Sequence, residues 1–578
     1  MKNYLFIAMA ALSLAACAEK MDDDKIPHKG EVTESYISIS LSSSDADTRA
    51  DGTYQKGEEL ERAVKTAYFF FFDAEGNAFP VDVTDGAGDA PGGEKNHLLA
   101  VINPTNGSDM NNVSDIKNVV LLLKNYQGTY PASIVAVLNW EPNENQYTLA
   151  DLQEKLVEVR DSEKGFIMSN AVYATSGTPA SAIYATPLTA DNIFTDEANA
   201  KANPVTIYVE RAAAKVTVTT TGGTTKFDVE KPVTIGSTST KVYAKVLGWE
   251  LYNDYQNSTV LKNIDPAWNI DNLGFTWNDS PWFRSYWADS QTTAFTDNTF
   301  QWKYAAIGEG HKTEYGYGIG VAADVTNGTY ADKTYTYCGE NTNRDPKDRT
   351  KIILKAKLQK EDETPVELAR WYTTEYLGEE DLRTAVANTL KYTLYFKDGD
   401  NYVGLKPEDL KCVSPEYDVN GDITNGAPLT IKPYEVFFQL SDAGKAKEWY
   451  KKEAGVYNPV SDDVGTDTGS IKATDAHLAS NVAPAIIYAD GQTYYYIDVK
   501  HLGNEGKTAE YGIVRNHIYS ININKIGGYG SPIYVPLSNV VTPEYPGIGG
   551  GGEEVSFVAA EVRILSWRMV QQGVNVQP

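Results

Sequence analysis

The chain is expected to be mainly β. Three features predict this: it holds 38 tyrosines with plentiful Thr and Val, its apolar runs are short and bounded by Gly, Pro, Asn and Asp, and several runs alternate apolar with polar residues. At 578 residues it is long enough for two to four domains, each able to bury a core without metals or disulfides. Lys and Arg total 51 against 78 Asp and Glu, a formal charge of −27. That field repels a phosphate backbone, so nucleic acid is not an expected partner.

From the start, Met1-Lys2-Asn3 is a short basic stretch and Tyr4 to Ala16 an apolar run too brief to span a bilayer. It ends in Leu14-Ala15-Ala16-Cys17, small residues before a cysteine, so residues 1–17 read as a lipoprotein signal peptide with Cys17 as the acylated residue. The acidic cluster Ala18 to Asp24 reads as a surface-export signal or as a solvated tether. Tyr36-Ile37-Ser38-Ile39-Ser40-Leu41 then alternates as a strand, with Ile37, Ile39 and Leu41 on one face. Behind it, residues 42–52 form a small, polar loop that a protease can enter, and Arg49 stands alone in it.

Arg62 to Asp73, with its run of aromatics, suits a strand covered on both faces, and Pro131 to Trp140 reads as another buried strand. Thr148 to Glu158 reads as a helix opened by a capping box of Thr148 and Asp151. Residues 204–210 and 214–218 give two more strands, and a Thr/Gly-rich stretch places a domain boundary near residue 225. Further strands are expected within residues 241–252, 350–358, 391–396, 494–499 and 518–526. Gly549 to Gly552 is a hinge, followed by a β-prone tail from Val555 to Val576.

No catalytic signature appears: there is no HExxH, GxSxG or GxxxxGK[ST]. Gly316-Tyr317-Gly318-Ile319-Gly320 lacks dinucleotide spacing and reads as a tight strand or bulge. The acidic pairs Glu379-Glu380 and Asp462-Asp463 suit a solvated surface in so acidic a chain, and Trp282, Trp287 and Trp302 are either packing or a sugar platform. Neither cofactor nor metal is expected, and Cys338 and Cys412 make no zinc site, although they are able to pair in an oxidising compartment.

The chain resembles the type V pilins, or fimbrillins, most closely the major subunit of the short (minor) fimbria. The likeness is carried by the lipobox at Cys17, Tyr68 to Asp73, Ile134 to Asn139, Phe166 to Asn170, Val209 to Val216, Trp249, Phe283 to Trp287, Tyr337 to Thr342, Gly512 to His517 and the tail around Trp567. Residues 226–240 and 442–480 have no counterpart and read as insertions. The resemblance implies two transthyretin-like β-sandwich domains with minor helices, over residues 50–225 and 226–552. It implies a lipoprotein precursor carried to the outer membrane, a propeptide over residues 18–49, and cutting by an Arg-specific protease between Arg49 and Ala50. Arg62 is a second candidate that abuts a strand.

Loss of the strand 36–44 would leave an apolar trough with unpaired backbone groups, which demands a replacement. The tail 553–578 offers Val558, Val562 and Ile564 in one phase, then Leu565, Trp567 and Met569 in the other, as a donor strand for a neighbouring copy. A head-to-tail contact of this kind propagates as a filament. The expected protein is therefore a non-enzymatic shaft subunit of an adhesive surface fimbrium, with anchor and tip accessory subunits as partners. The alternatives are a strand closing its own sandwich, a monomeric carbohydrate-binding surface lipoprotein, and a secreted glycosidase.

Overall fold

The structure is a computed structural model and describes residues 32–43, 57–82, 94–100, 119–126, 129–159, 165–174, 182–235, 237–252, 255, 257–263, 317–346, 348–418, 422–432, 434–461, 470–501, 510–532, 558–564 and 568–571. It is mainly β, as expected, with short helices between antiparallel sheets. In chain order the first part contains β1 (Val32–Ser43), α1 (Glu59–Arg62), β2 (Ala67–Phe72), β3 (His97–Leu99), β4 (Val119–Tyr126), β5 (Ser133–Leu138), α2 (Leu149–Glu154), β6 (Leu156–Glu158), β7 (Met168–Asn170), α3 (Glu197–Ala202) and β8 (Val205–Arg211). These strands, β6 apart, make one sheet in the order β3-β2-β5-β7-β8-β1-β4, with Thr186–Pro187 added beside β5.

At β2 and β5 both faces of this sheet are covered, which is why these strands read as unbroken apolar runs. Phe69, Phe71, Ile134 and Ala136 enter one core with Ile37, Leu121 and Ile207, while Phe70, Phe72, Val135 and Val137 enter another. Asn139, with φ of 60°, closes β5 and spends its amide on its neighbours. It accepts from the Lys65 N–H at 2.7 Å and donates to the carbonyls of Ala63 and Phe166, each at 2.8 Å. Thr148 and Asp151 form the expected capping box, but α2 ends at Glu154. The expected helix is shorter because Val157 and Val159 alternate into the core and Asn257–Thr259 offers β6 an antiparallel partner.

His97 is buried beside Phe70, ring centroids 5.1 Å apart, and near Tyr68 and Tyr147. Burial first, then the charge of Lys95, hold its pKa down to about 4, against a smaller opposing pull from Asp82. The unfolded chain binds a proton near the ordinary 6.5, the folded chain only near 4. Stability conferred by neutral His97 is thus present above pH 6.5 and is lost as pH falls toward 4. Thermal denaturation across that range should show wild type losing stability faster than a His97→Phe variant.

The second part begins earlier than residue 225. β9 (Ala214–Thr220) follows β8 after Ala212-Ala213 and joins a different sheet, pairing in parallel with β13 (His517–Ile526) and antiparallel with Tyr335–Cys338. That sheet faces a second one containing β10 (Tyr243–Tyr252), β11 (Lys351–Gln359) and β12 (Gln492–Asp498). Val216, Val218, Ile521 and Ile523 from one sheet meet Trp249, Leu354, Ala356 and Tyr495 from the other, a β-sandwich core. The described part of the glycine-rich stretch, 317–320, bridges to β10 at Tyr317 and leads into the short strand Gly320–Val321. Tyr317 exchanges backbone hydrogen bonds with Trp249, and a Cβ on Gly248 would lie 3.0 Å from the Tyr317 carbonyl oxygen beside the bulge between Val246 and Gly248.

Residues 226–552, expected as one sandwich, hold a further core. Between β11 and β12, which pair with each other, the chain leaves to build a five-stranded and a four-stranded sheet with the helices Gly378–Leu390 and Ile471–Asn481. Trp371, Leu382, Phe396, Phe438, Trp449 and Leu478 fill it. An insertion that leaves and re-enters at neighbouring strands does not disturb the host sheet. Part of it, 442–480, was expected as an insertion; the core shows how far it extends.

A candidate strand-exchange groove

β1 is not an edge decoration. It lies between β8, to which it is parallel (Ile39↔Val205, Leu41↔Ile207, Ser43↔Val209), and β4, to which it is antiparallel (Ile37↔Leu121, Ser35↔Leu123). β4 reaches the rest of the sheet through β1, with one added link where the Lys124 N–H donates to the Val81 carbonyl at 2.7 Å. Ile37 is fully buried, and the groove walls Val205, Ile207, Val209, Leu121 and Leu123 belong to the same core. Withdrawal of β1 would therefore uncover an apolar trough lined by the backbone edges of β8 and β4, a template for strand addition.

On the outer face the groove is different. Tyr208 and Leu122 are exposed there, while Ser38 is fully buried. α3 lies against β1 and, to a smaller extent, β4. Asp196 caps it by accepting from the Asn199 N–H at 2.9 Å, and Ala200 is its buried residue. The hydroxyls of Ser35 and Ser38 are buried without a hydrogen-bond partner, a condition that costs free energy in the strand now filling the groove.

Arg49, Ala50 and Cys17 lie outside the described residues, as do Trp282, Trp287, Trp302, Asp462 and Asp463. Arg62 ends α1, with its Nε donating to the Glu58 carbonyl at 3.4 Å. Its neighbour Glu61 is buried, 2.9 Å from Lys215 Nζ, and its carbonyl accepts from Arg211 Nε at 2.6 Å. Desolvation pushes the Glu61 carboxyl upward, but the charges of Lys215 and Arg211 and hydrogen bonds from Lys215 and Tyr337 outweigh it and hold the pKa below the ordinary value. A protease would have to unpick this knot to use Arg62. Glu379 and Glu380 open the helix Gly378–Leu390, where acidic residues favour a helix N-terminus.

Of the expected donor residues, Val558, Val562 and Ile564 lie in β14 (Val558–Ile564) and Met569 in β15 (Arg568–Gln571), whereas Leu565 and Trp567 lie outside the described residues. In the single chain both strands rest on their own second domain. β14 is antiparallel to β13 (Ile521↔Val562, Ile523↔Ala560) and β15 parallel to it (Ile518↔Met569). Cys338 lies on the sandwich core and Cys412 on the inserted one, and the possible disulfide between them is not formed. Among the described residues no group of three His, Cys, Asp or Glu is placed to hold a metal, and no helix is long and apolar enough to cross a membrane.

Sequence reasoning found β1 and the tail through their alternation. It missed α3, Ala200 and the groove walls, because a six-residue alanine-rich helix and ordinary strands carry no local signal of what they cover.

The fold is that of a β protein whose first sheet holds β1 between β8 and β4 and whose tail strands pair with β13. Residues 486–572 match the family model described as major fimbrial subunit protein type IV, fimbrillin, C-terminal, and so bear out the resemblance to the type V pilins over β12, β13 and the tail. No curated protein sequence matches the chain. Similar solved structures include a candidate cell adhesion protein of Parabacteroides distasonis, at 11% identity over 94% of this chain and 98% of that one, with a TM-score of 0.34. A fimbrilin, fimA, from Porphyromonas gingivalis W83 is 12% identical over 87% and 94% of the two chains, TM-score 0.31. The tip fimbrial protein Mfa3 of Porphyromonas gingivalis, with a C-terminal truncation, is 9% identical over 86% and 95%, TM-score 0.27.

Proposed function

We propose that this chain is a non-enzymatic shaft subunit of a cell-surface fimbrium, which polymerises when an Arg-specific protease releases β1 and the tail of another copy takes its place. The observation that carries this reading is the position of β1, seated inside the first sheet between β8 and β4 and followed six residues later by Arg49. A strand so placed completes the fold while present and leaves an acceptor when removed. The lipid on Cys17 would hold the precursor at the outer membrane during export, since each buried methylene adds about 0.8 kcal/mol. Anchor and tip subunits and a role in adhesion belong to the same proposal. The pairing of β14 and β15 with β13 supports the alternative that the tail closes its own domain, so on the proposed reading the tail must leave β13 to reach a neighbour.

Arg49→Ala is the direct test. Subunits carrying it should keep residues 18–48 and yield no filaments by electron microscopy, whereas wild-type filaments should begin at Ala50 by N-terminal sequencing. Filaments of normal length from Arg49→Ala, or wild-type filaments that retain β1, would refute the proposal.

A further inference from the structure

We propose that α3 sets the register of the incoming strand, admitting a small residue beneath Ala200, and that the residue it admits is Ala559. This rests on the strand-exchange reading above. Four observations carry it. First, α3 lies against β1 and β4 and Ala200 is its buried residue, while Ser38 is fully buried on the outer face of β1 although Leu122 and Tyr208 on that face are exposed. α3 leads into Val205, which pairs with Ile39, so the helix crosses β1 at the level of Ser38. With Ala200 set against Ser38, no room would be left there for a long side chain.

Second, the Ser38 hydroxyl has no partner beneath the helix. The present occupant is imperfect, and an alanine in its place would remove the orphaned polar group. Third, the tail phase opposite Val558, Ala560, Val562 and Ile564 consists of Ala559, Glu561 and Arg563 within β14. Glu561 or Arg563 beneath Ala200 would bury an unpaired charge, so of the three Ala559 alone fits.

Fourth, placing Ala559 at Ser38 with the tail running in the direction of β1 aligns the two segments residue by residue. Ser35-Tyr36-Ile37-Ser38-Ile39-Ser40-Leu41 then meets Ser556-Phe557-Val558-Ala559-Ala560-Glu561-Val562. Serine falls on serine, aromatic on aromatic, and the apolar positions 37, 39 and 41 receive Val558, Ala560 and Val562. Arg563 falls on Ser42, opposite the exposed Tyr208, where a cation meets an aromatic face in solvent. A slip by one residue would turn the apolar phase outward, and a slip by two brings Glu561 beneath the helix.

The test is cross-linking in assembled filaments with Cys412→Ser as the background. Ala200→Cys combined in turn with Ala559→Cys, Glu561→Cys and Arg563→Cys should give intersubunit dimers on a denaturing gel chiefly with Ala559→Cys, and Tyr208→Cys should link to Arg563→Cys. Preferred linkage of Ala200→Cys to position 561 or 563 overturns the register while leaving strand exchange intact. Filaments in which no tail position links to the groove overturn the exchange reading itself. A second measurement does not depend on the cysteine variants: after cutting at Arg49, Ser38→Ala should release its leader peptide at least about fivefold more slowly than wild type, because the orphaned hydroxyl is gone. Release at the wild-type rate or faster overturns the role of Ser38.

Discussion

A chain lacking residues 555–578 should fold and form no filaments, with loss of yield by electron microscopy of at least a hundredfold expected from removing the whole donor. Backbone pairing along the groove would supply most of the affinity of a donor strand, so no other segment replaces it cheaply. Folding should survive because β13 keeps β9 as its partner on the other edge, and the sandwich core is formed by β9, β10, β11, β12 and β13. Circular dichroism and size-exclusion chromatography of the truncated monomer check that half. If the truncated chain still polymerises, the tail is not the donor. If it unfolds, the pairing of β14 and β15 with β13 is structural, and the tail belongs to its own domain.

Glu61→Ala should be among the most destabilising single substitutions in the chain, by about 3–5 kcal/mol, since it leaves Lys215 buried without its closest carboxylate. Lys215 is fully buried, lies 3.6 Å and 4.1 Å from the ring centroids of Tyr330 and Tyr335, and keeps only Glu58 at 3.2 Å once Glu61 is gone. The loss should reach both domains, because this cluster sits where they meet. Arg211 of β8 donates to Asn516 Oδ1 at 3.1 Å, and Arg515 contacts Glu340 at 3.1 Å. Replacing Glu61 and Lys215 together by apolar residues of similar size should cost much less, as burying an ion pair gains little net stability over good packing. Thermal denaturation of wild type and the two variants measures the difference.

The pH dependence has a definite sign. The folded pKa of Glu61 lies below its ordinary 4.5, so its stabilisation is present above that value and is lost as pH falls through the lower, folded one. Below pH 4.5 wild type should therefore approach Glu61→Ala in stability. A gap between them that stayed constant to the most acidic point would contradict the assignment.

Much of the design was legible along the chain. Alternation at Ile37, Ile39 and Leu41, the aromatic run Phe69 to Phe72, the capping box at Thr148 and the alternation of β13 are local patterns, written at a period of two or in a four-residue spacing. Local patterns are set by which face of a segment meets water, and residue order records that directly. The same reasoning located the leader strand, the isolated Arg49 and the tail, which together make the candidate groove and its donor.

Other features depend on residues far apart in sequence. β9 reads as a neighbour of β8, yet it pairs with β13 about 300 residues later, as in Lys215↔Ile518, because Ala212-Ala213 lets the chain pass from one sheet to the next. The inserted core, β6 in place of a helix end, the separation of Cys338 from Cys412, and the burial of Ser38 were all decided by partners that no local window contains. By itself the sequence determined a β protein with an early alternating strand and a β-prone tail, since periodicity and composition are properties of the segment. Which strands flank that segment, and which helix lies against it, were decided only by tertiary packing, since van der Waals contact and buried polar groups exist only between elements already brought together.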